Sequence, residues 1–307
     1  MSEGLELDGA EVVDTYAEAF AMWAARVVIT ASSPGWAHEA ARSATGFATS
    51  VIGCKCEAGI ESDLAPAETP DGRPGISVLL FAMDREGLAK RLVERIGQSV
   101  LTCPTTACFD GLDGTEHTAD VGGRLRFFGD GWQQSKVVAG RRYWRVPVME
   151  GEFLVQERFG MVEGVAGGNL VILAEDVAAA LGAAEAAAQA MRGVRGVILP
   201  FPGGIVRSGS KVGSRYRSLV ASTNDALCPT LRAQVPRSDV PSGVGSVMEI
   251  VIDGLGLEPV REAMARGLRA ASRAGARRVT AGNYGGKLGR HRIDLHELVP
   301  ASEGGRA

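Results

Sequence analysis

The stretch SVMEIVIDG, Ser246–Gly254, holds one acid, Glu249, inside an otherwise apolar run. Val247, Met248, Ile250, Val251 and Ile252 flank it, and such a run predicts a strand covered on both faces. An ionised carboxylate left unpaired there is costly. Glu249 therefore either has a dedicated partner, such as an arginine or a backbone donor, or is kept protonated. A carboxyl desolvated among Val, Met and Ile has a raised pKa and can hold a proton at pH 7, ready to deliver it to a reacting group.

A second segment, PFPGGIVRSGSKVGS (Pro200–Ser214), combines Gly203, Gly204, Gly209 and Gly213 with Arg207 and Lys211. Glycines let backbone N–H groups approach an anion, and the two cations add charge. It is not a Walker A loop, because Gly204-x4-Gly209 is followed by Ser210-Lys211 and not directly by Lys. Nucleotide hydrolysis is therefore set aside, and a plain structural turn is the alternative to an anion cradle.

Other reactive residue types give less. Cys54-x-Cys56 and Cys103-x4-Cys108 match no common metal knuckle. His291-x4-His296 is expected on a terminal strand, where the two rings do not share a face at helical pitch. Cys228 has no His nearby in sequence to activate it. No metal is expected, and no cysteine nucleophile.

These residues need elements to position them, and the chain reads as two similar copies. The first has the strand RVVITAS, a helix to about Ser43, a strand and loop GFATSVIGCKCEAGI, the strand GISVLLFA, the helix REGLAKRLVERIGQ and the strand SVLTCPT. The second has the strand NLVILAE, the helix DVAAALGAAEAAAQAM, the segment containing PFPGG, the strand VMEIVID, the helix EPVREAMARGLRAASRA and the strand RRVTAGN. Val260, Met264, Leu268 and Ala271 form one apolar stripe on that last helix. Each copy follows the split βαβ pattern. The expected fold is α+β, with two ferredoxin-like lobes of mainly antiparallel sheet flanked by helices. The copies, 1–150 and 151–307, are divided near Glu150, and a ligand cleft is expected between such lobes.

Composition agrees with a globular chain of 307 residues, 45% hydrophobic and 22% charged. No run of 18 apolar residues predicts a membrane span. The acidic start MSEGLELDGAEVVD lacks the form of a secretory signal, and the five irregularly spaced cysteines read as reduced thiols in a cytoplasm. Residues 1–72 hold 12 acidic against 3 basic side chains, and 191–292 hold 17 basic against 6 acidic. The basic part either meets an anion or is a solvated helix face. Aromatic residues are not interleaved with the arginines, which argues against a nucleic-acid platform.

The segments TYAEAFAMWAARVVITA, ATGFATSVIGC, ETPDGRPG, FFGDG, GVAGGN, PFPGGIVRSGSKVGS, ASTNDALCP and AGNYGGKLG occur in one order from about Glu11 to Leu298. Together they resemble the formylmethanofuran–tetrahydromethanopterin formyltransferase family. The Ala-, Gly- and Arg-rich composition is more similar to the bacterial form, a subunit of the formyltransferase/hydrolase complex of methylotrophs, than to the acidic archaeal members.

That resemblance implies formyl transfer between N5 of tetrahydromethanopterin and the amine of methanofuran or a bacterial analogue, during oxidation of formaldehyde to formate. It implies a two-lobed protein that forms dimers and dimers of dimers and works with hydrolase subunits. The family's proposed catalytic Glu lies in the strand that matches VMEIVI, which points to Glu249. Candidate substrate-binding residues are Gly203, Gly204, Arg207, Ser210, Lys211, Asn224 and Asp225. Two departures, Arg215 in place of an expected Lys and Leu227 in place of an expected Tyr, bear on contacts with the second substrate. The rival to an active enzyme is a noncatalytic assembly subunit that keeps the fold.

Overall fold

The computed structural model describes residues 5–287 and 289–299. Residues 1–4 and 300–307, at the outer ends of the two predicted halves, and Leu288 of AGNYGGKLG lie outside the described residues.

The first half runs β1 (Leu5–Leu7), β2 (Ala10–Val12), β3 (Tyr16–Thr30), α1 (Pro34–Thr45), α2 (Val51–Cys54) and β4 (Glu57–Leu64). It continues through β5 (Gly75–Ala82), α3 (Arg85–Arg95), β6 (Ala107–Asp110), β7 (His117–Asp120) and α4 (Gly122–Leu125). Three strands then fold on one another: β8 (Gln134–Val138), β9 (Arg141–Val148) and β10 (Gly151–Gln156). The second half has β11 (Arg158–Ala174), α5 (Val177–Arg192), β12 (Val197–Ile198), β13 (Lys211–Val212) and β14 (Ala221–Ser222). It ends with β15 (Ser246–Gly254), α6 (Leu257–Arg273), β16 (Arg278–Thr280) and β17 (His291–Asp294).

Two long strands organise the molecule. β3 pairs with β5 and β6, and β11 pairs with β15 and β16. They also pair with each other from Val162 opposite Ala24 to Ala166 opposite Phe20, so the sheets of the two lobes are continuous. The ladders are antiparallel apart from β6 with β10 and β2 with β16. This is the expected α+β layering.

Helix starts follow the local chemistry. Ser33, Asp84 and Asp176 each cap a helix by accepting a backbone N–H three residues on. Val260, Met264, Leu268 and Ala271 of α6 are all buried, as their spacing predicts. They share a core with the alanines of α5 and with Leu170, Ile172, Ile250 and Ile252 of the sheet. The approach is close: a Cβ on Gly267 would fall 2.0 Å from the Met191 side chain.

One predicted strand is not a strand. SVLTCPT (Ser99–Thr105) begins inside a wider helical turn, Ile96–Val100, that continues α3, and then runs through turns; the strand comes later, at Ala107–Asp110. Leu88, Leu92, Ile96 and Val100 keep helical spacing and all point into the core, so burial favours prolonging the helix. Packing also crosses the division at Glu150. β2 pairs with β16, β17 pairs with β3, and β10 lies beside β6.

Candidate active site

Alternation along β15 explains why an acid sits in an apolar run. Ile250 and Ile252 are fully buried against α5 and α6, whereas Glu249 points to the opposite face of the sheet. The covering there comes from the loops around Val206–Thr230 and Gly282–Tyr284, which enclose a cavity of about 380 Å³. The run is apolar on one side for packing and carries the carboxyl on the other.

The Gly-rich segment is attached at Glu249 itself. The Val206 N–H donates to the Glu249 carbonyl at 2.7 Å, and the Glu249 N–H donates back to Val206 at 2.9 Å. The Glu249 carboxyl has no hydrogen-bond partner among the described residues, neither arginine nor backbone. Burial alone pushes it up from an ordinary 4.5 to about 7. A half-buried acid that is part protonated at neutral pH and faces a cavity is placed for proton transfer.

The candidate binding residues separate into three groups. Arg207, Ser210, Lys211 and Asn224 line the Glu249 cavity. Gly203 and Gly204 form a tight turn with φ of +64° and +80°, and the Gly204 N–H is spent on the Phe201 carbonyl. Gly203 instead lines an adjoining groove of about 910 Å³ against α5, which shares Val206, Arg207, Ser208 and Met248 with the cavity. Asp225 binds the Lys211 ammonium at 2.5 Å, and this pair lowers the Asp225 pKa. Lys211 is thus already neutralised. The exposed Arg207 guanidinium has no such acid among the described residues.

Several residues escaped sequence reasoning. Asn169 of β11 accepts the Gly282 N–H at 2.6 Å and donates to the Gly282 carbonyl at 3.1 Å. The buried Glu18 of β3 accepts backbone N–H groups of Tyr284, Gly286 and Gly289. Tyr284 lines the cavity with Glu249. The only available signal was that these residues fall in TYAEAF, GVAGGN and AGNYGGKLG, segments with no mechanism of their own. Leu227, a departure noted above, also lines the cavity and packs on Val171, Leu173, Val240 and Val244.

The thiols are dispersed. Cys56 and Cys108 are buried, and all five cysteines are free. Cys228 lines the cavity, with its Sγ on the Asn224 carbonyl at 3.3 Å. No cluster of three or more potential metal-ligating side chains occurs among the described residues. His291 lies on β17, and His296 follows it in a turn with Nε2 2.9 Å from the Val12 carbonyl.

Fold and site define a two-lobed α+β protein with one desolvated acid facing a cavity in its second lobe. Two family models divide the chain: "Formylmethanofuran-tetrahydromethanopterin formyltransferase" matches residues 5–148, and "FTR, proximal lobe" matches residues 151–298. A formyltransferase of that name from Methylococcus capsulatus is 57% identical over 297 residues, covering 95% of this chain and 99% of the relative. The solved formyltransferase of Methanosarcina barkeri superposes with a TM-score of 0.92 at 49% identity, covering 96% of this chain and 100% of that one. A chain of the formyltransferase/hydrolase complex of Methylorubrum extorquens, solved with methylofuran, superposes with a TM-score of 0.94 at 49% identity. That match covers 96% of this chain and 99% of the other. The chain belongs to the formylmethanofuran–tetrahydromethanopterin formyltransferase family.

Proposed function

We propose that this chain moves a formyl group between N5 of tetrahydromethanopterin and the amine of methanofuran or a bacterial analogue such as methylofuran. The incoming amine attacks the formyl carbon directly, and the tetrahedral intermediate expels the other nitrogen. Protonated Glu249 gives its proton to the departing nitrogen and recovers one from the attacking amine. The observation that carries this reading is a carboxyl with no partner among the described residues, pushed up to about 7, inside a cavity of a chain from this family. Positioning and proton supply are what direct amine-to-amine transfer needs, and no enzyme nucleophile is required.

The division near Glu150 belongs to the same reading, with the reacting acid in the second copy only. Flow runs from formyl-tetrahydromethanopterin toward the formylated furan cofactor and then to formate, with hydrolase subunits as partners like those of the Methylorubrum extorquens complex. The five free thiols support work in the reducing cytoplasm. No helix of the described residues is long and apolar enough to cross a membrane. Self-association into dimers is supported by exposed Phe127, Phe128, Trp132, Val137 and Val138 around the β8–β9 hairpin.

The direct test is an assay of the purified chain with formyl-tetrahydromethanopterin and methanofuran. Turnover by the chain alone is expected. Absence of transfer, with binding to hydrolase subunits intact, would make it an assembly subunit instead.

A further inference from the structure

The loop joining β16 to β17 contains Gly285 and Gly286, both with left-handed backbone (φ +72° and +71°), yet it is tightly held. Glu18, 1% exposed and 266 residues earlier than Tyr284, accepts the Tyr284 N–H at 2.8 Å, Gly286 at 2.9 Å and Gly289 at 2.6 Å. Asn169 clamps Gly282 through both its N–H and its carbonyl. The Asn283 side chain donates to the Tyr16 carbonyl at 3.3 Å, and the Phe20 ring lies 6.0 Å from that of Tyr284. A buried carboxylate collecting several N–H groups of one loop is an anchor with little freedom to shift.

What this anchoring presents to the cavity is the Tyr284 side chain. It is 37% exposed and lines the same cavity as Glu249. Burial pushes its phenol above the ordinary range, and the charges of Glu18 and of Glu249 when ionised add to this, so it remains an O–H donor throughout the working pH range. Formyl transfer needs such a donor, because charge builds on the formyl oxygen as the amine adds, and Glu249 is already engaged with nitrogen protons.

We propose that Tyr284 is a second catalytic group, whose hydroxyl donates a hydrogen bond to the formyl oxygen as it becomes an oxyanion, and that Glu18 is its positioning residue. The inference rests on the direct-transfer reading above. The new C–N bond forms while the carbonyl π pair moves onto oxygen, which the phenol stabilises without losing its proton. That pair returns as the old C–N bond breaks, and the departing nitrogen takes the proton from Glu249.

The test is steady-state kinetics of the full chain with both natural substrates, comparing Tyr284→Phe, Glu18→Gln, their double variant and Glu249→Gln. Removing one oxyanion donor is expected to lower kcat by about 10²-fold, with both KM values within about twofold. Glu18→Gln replaces one acceptor oxygen by a donor and should slacken the loop. If it acts through Tyr284, the double variant is no slower than Tyr284→Phe alone, whereas a merely structural Glu18 gives multiplying losses. If Glu18→Gln does not fold, Gly286→Ala, which strains the same loop at φ +71°, replaces it in the cycle. A Tyr284→Phe variant with normal kcat overturns the proposal, as does one in which only KM rises. Glu249→Gln separates the two ideas: if it is slow while Tyr284→Phe is normal, only the phenol's role falls. If Glu249→Gln is normal while Tyr284→Phe is slow, the Glu249 reading falls and the phenol's role stands.

Discussion

Ser77 occupies in the first lobe the place that Glu249 takes in the second. Ser77 stands opposite Val28, which lies five residues before the helix cap Ser33, and Glu249 stands opposite Val171, five residues before the cap Asp176. Each also lies seven residues before the next helix cap, Asp84 in one copy and Gly256 in the other. The surroundings have diverged. Ser77 donates to Glu61 at 2.6 Å, Arg26 grips the same carboxylate through two nitrogens, and the Gly196 N–H adds a further bond. Burial pushes Glu61 up, but the bonds from Arg26 and Ser77 outweigh it and hold the carboxyl below its usual range. One copy thus closes the position with a satisfied ion pair that braces the lobes, and the other leaves an acid facing a cavity.

Glu249→Gln tests the acid. Gln keeps the shape but delivers no proton, so kcat should fall by about 10²-fold or more. In the native chain the protonated form is the working one, so kcat should decline as pH rises through about 7, and the residual rate of the variant should lack that limb. Stability follows the same direction. The folded-state pKa is raised, so the native state loses stability as pH rises from the unfolded value through about 7. The variant should therefore melt higher than the native chain at pH 8.5. Near-normal turnover of Glu249→Gln would remove the residue from the mechanism.

The thiols should be dispensable for chemistry. A folded variant with Cys54, Cys56, Cys103, Cys108 and Cys228 replaced by Ser or Ala should keep most of its activity, and EDTA should not inhibit. Cys228 is the informative position, because it alone of the five lines the cavity. Mass spectrometry that finds a formyl thioester on Cys228, or stoichiometric bound zinc, would defeat direct transfer.

Much of this was readable from sequence where one signal dominated. The apolar stripe disclosed α6, and Glu249 stood out because a lone acid in an apolar strand is costly. SVLTCPT misled because a short apolar run reads equally well as a strand or a buried helical turn, and only the packing of Ile96 and Val100 decides. The Gly-rich segment disclosed its cations but not their pairing: that Asp225 neutralises Lys211 depends on a fold that brings residues 14 apart together. Glu18 and Asn169 left no local trace, since their partners lie 113 to 271 residues away.

A buried acid pair should make the lobe junction sensitive to alkali. Asp253 of β15 is fully buried beside Glu57 of β4, with one oxygen on the Gly167 N–H at 3.0 Å. Burial, reinforced for Asp253 by the Glu57 charge, raises both carboxyls, so the pair holds a proton that the unfolded chain releases. Stability is then fully present below the ordinary carboxyl range and is lost as pH rises above it. Asp253→Asn keeps the acceptor for Gly167 and gives Glu57 a permanent donor, so its melting temperature should depend less on pH between 6 and 9. Asp253→Ala strands the Gly167 N–H and should cost about 1–3 kcal/mol. Parallel melting curves for the native chain and Asp253→Asn across that range would show that the pair carries no shared proton.

The remaining prediction concerns Arg207. Residues 191–292 carry the basic excess, but Lys211 is already bound to Asp225, which leaves Arg207 as the free cation at the Glu249 cavity among the described residues that line it. It lies where the cavity joins the groove along α5, so it is placed to hold an anionic cofactor tail away from the reacting carbon. A tail contact is equal in the ground and transition states, so its loss raises KM and leaves kcat nearly unchanged. Arg207→Ala should raise KM for one of the two substrates by about 3- to 10-fold, the range of a partly exposed charged contact. Salt should raise the same KM in the native chain and have less effect in the variant, because screening acts on the contact already removed. Lys211→Ala should do less to KM, since it breaks an internal pair and frees Asp225 to repel the tail only weakly through solvent. Equal effects of the two substitutions would mean that the Lys211–Asp225 pair opens on binding. A fall in kcat at saturating substrate with KM unchanged for Arg207→Ala would place Arg207 in the chemical step.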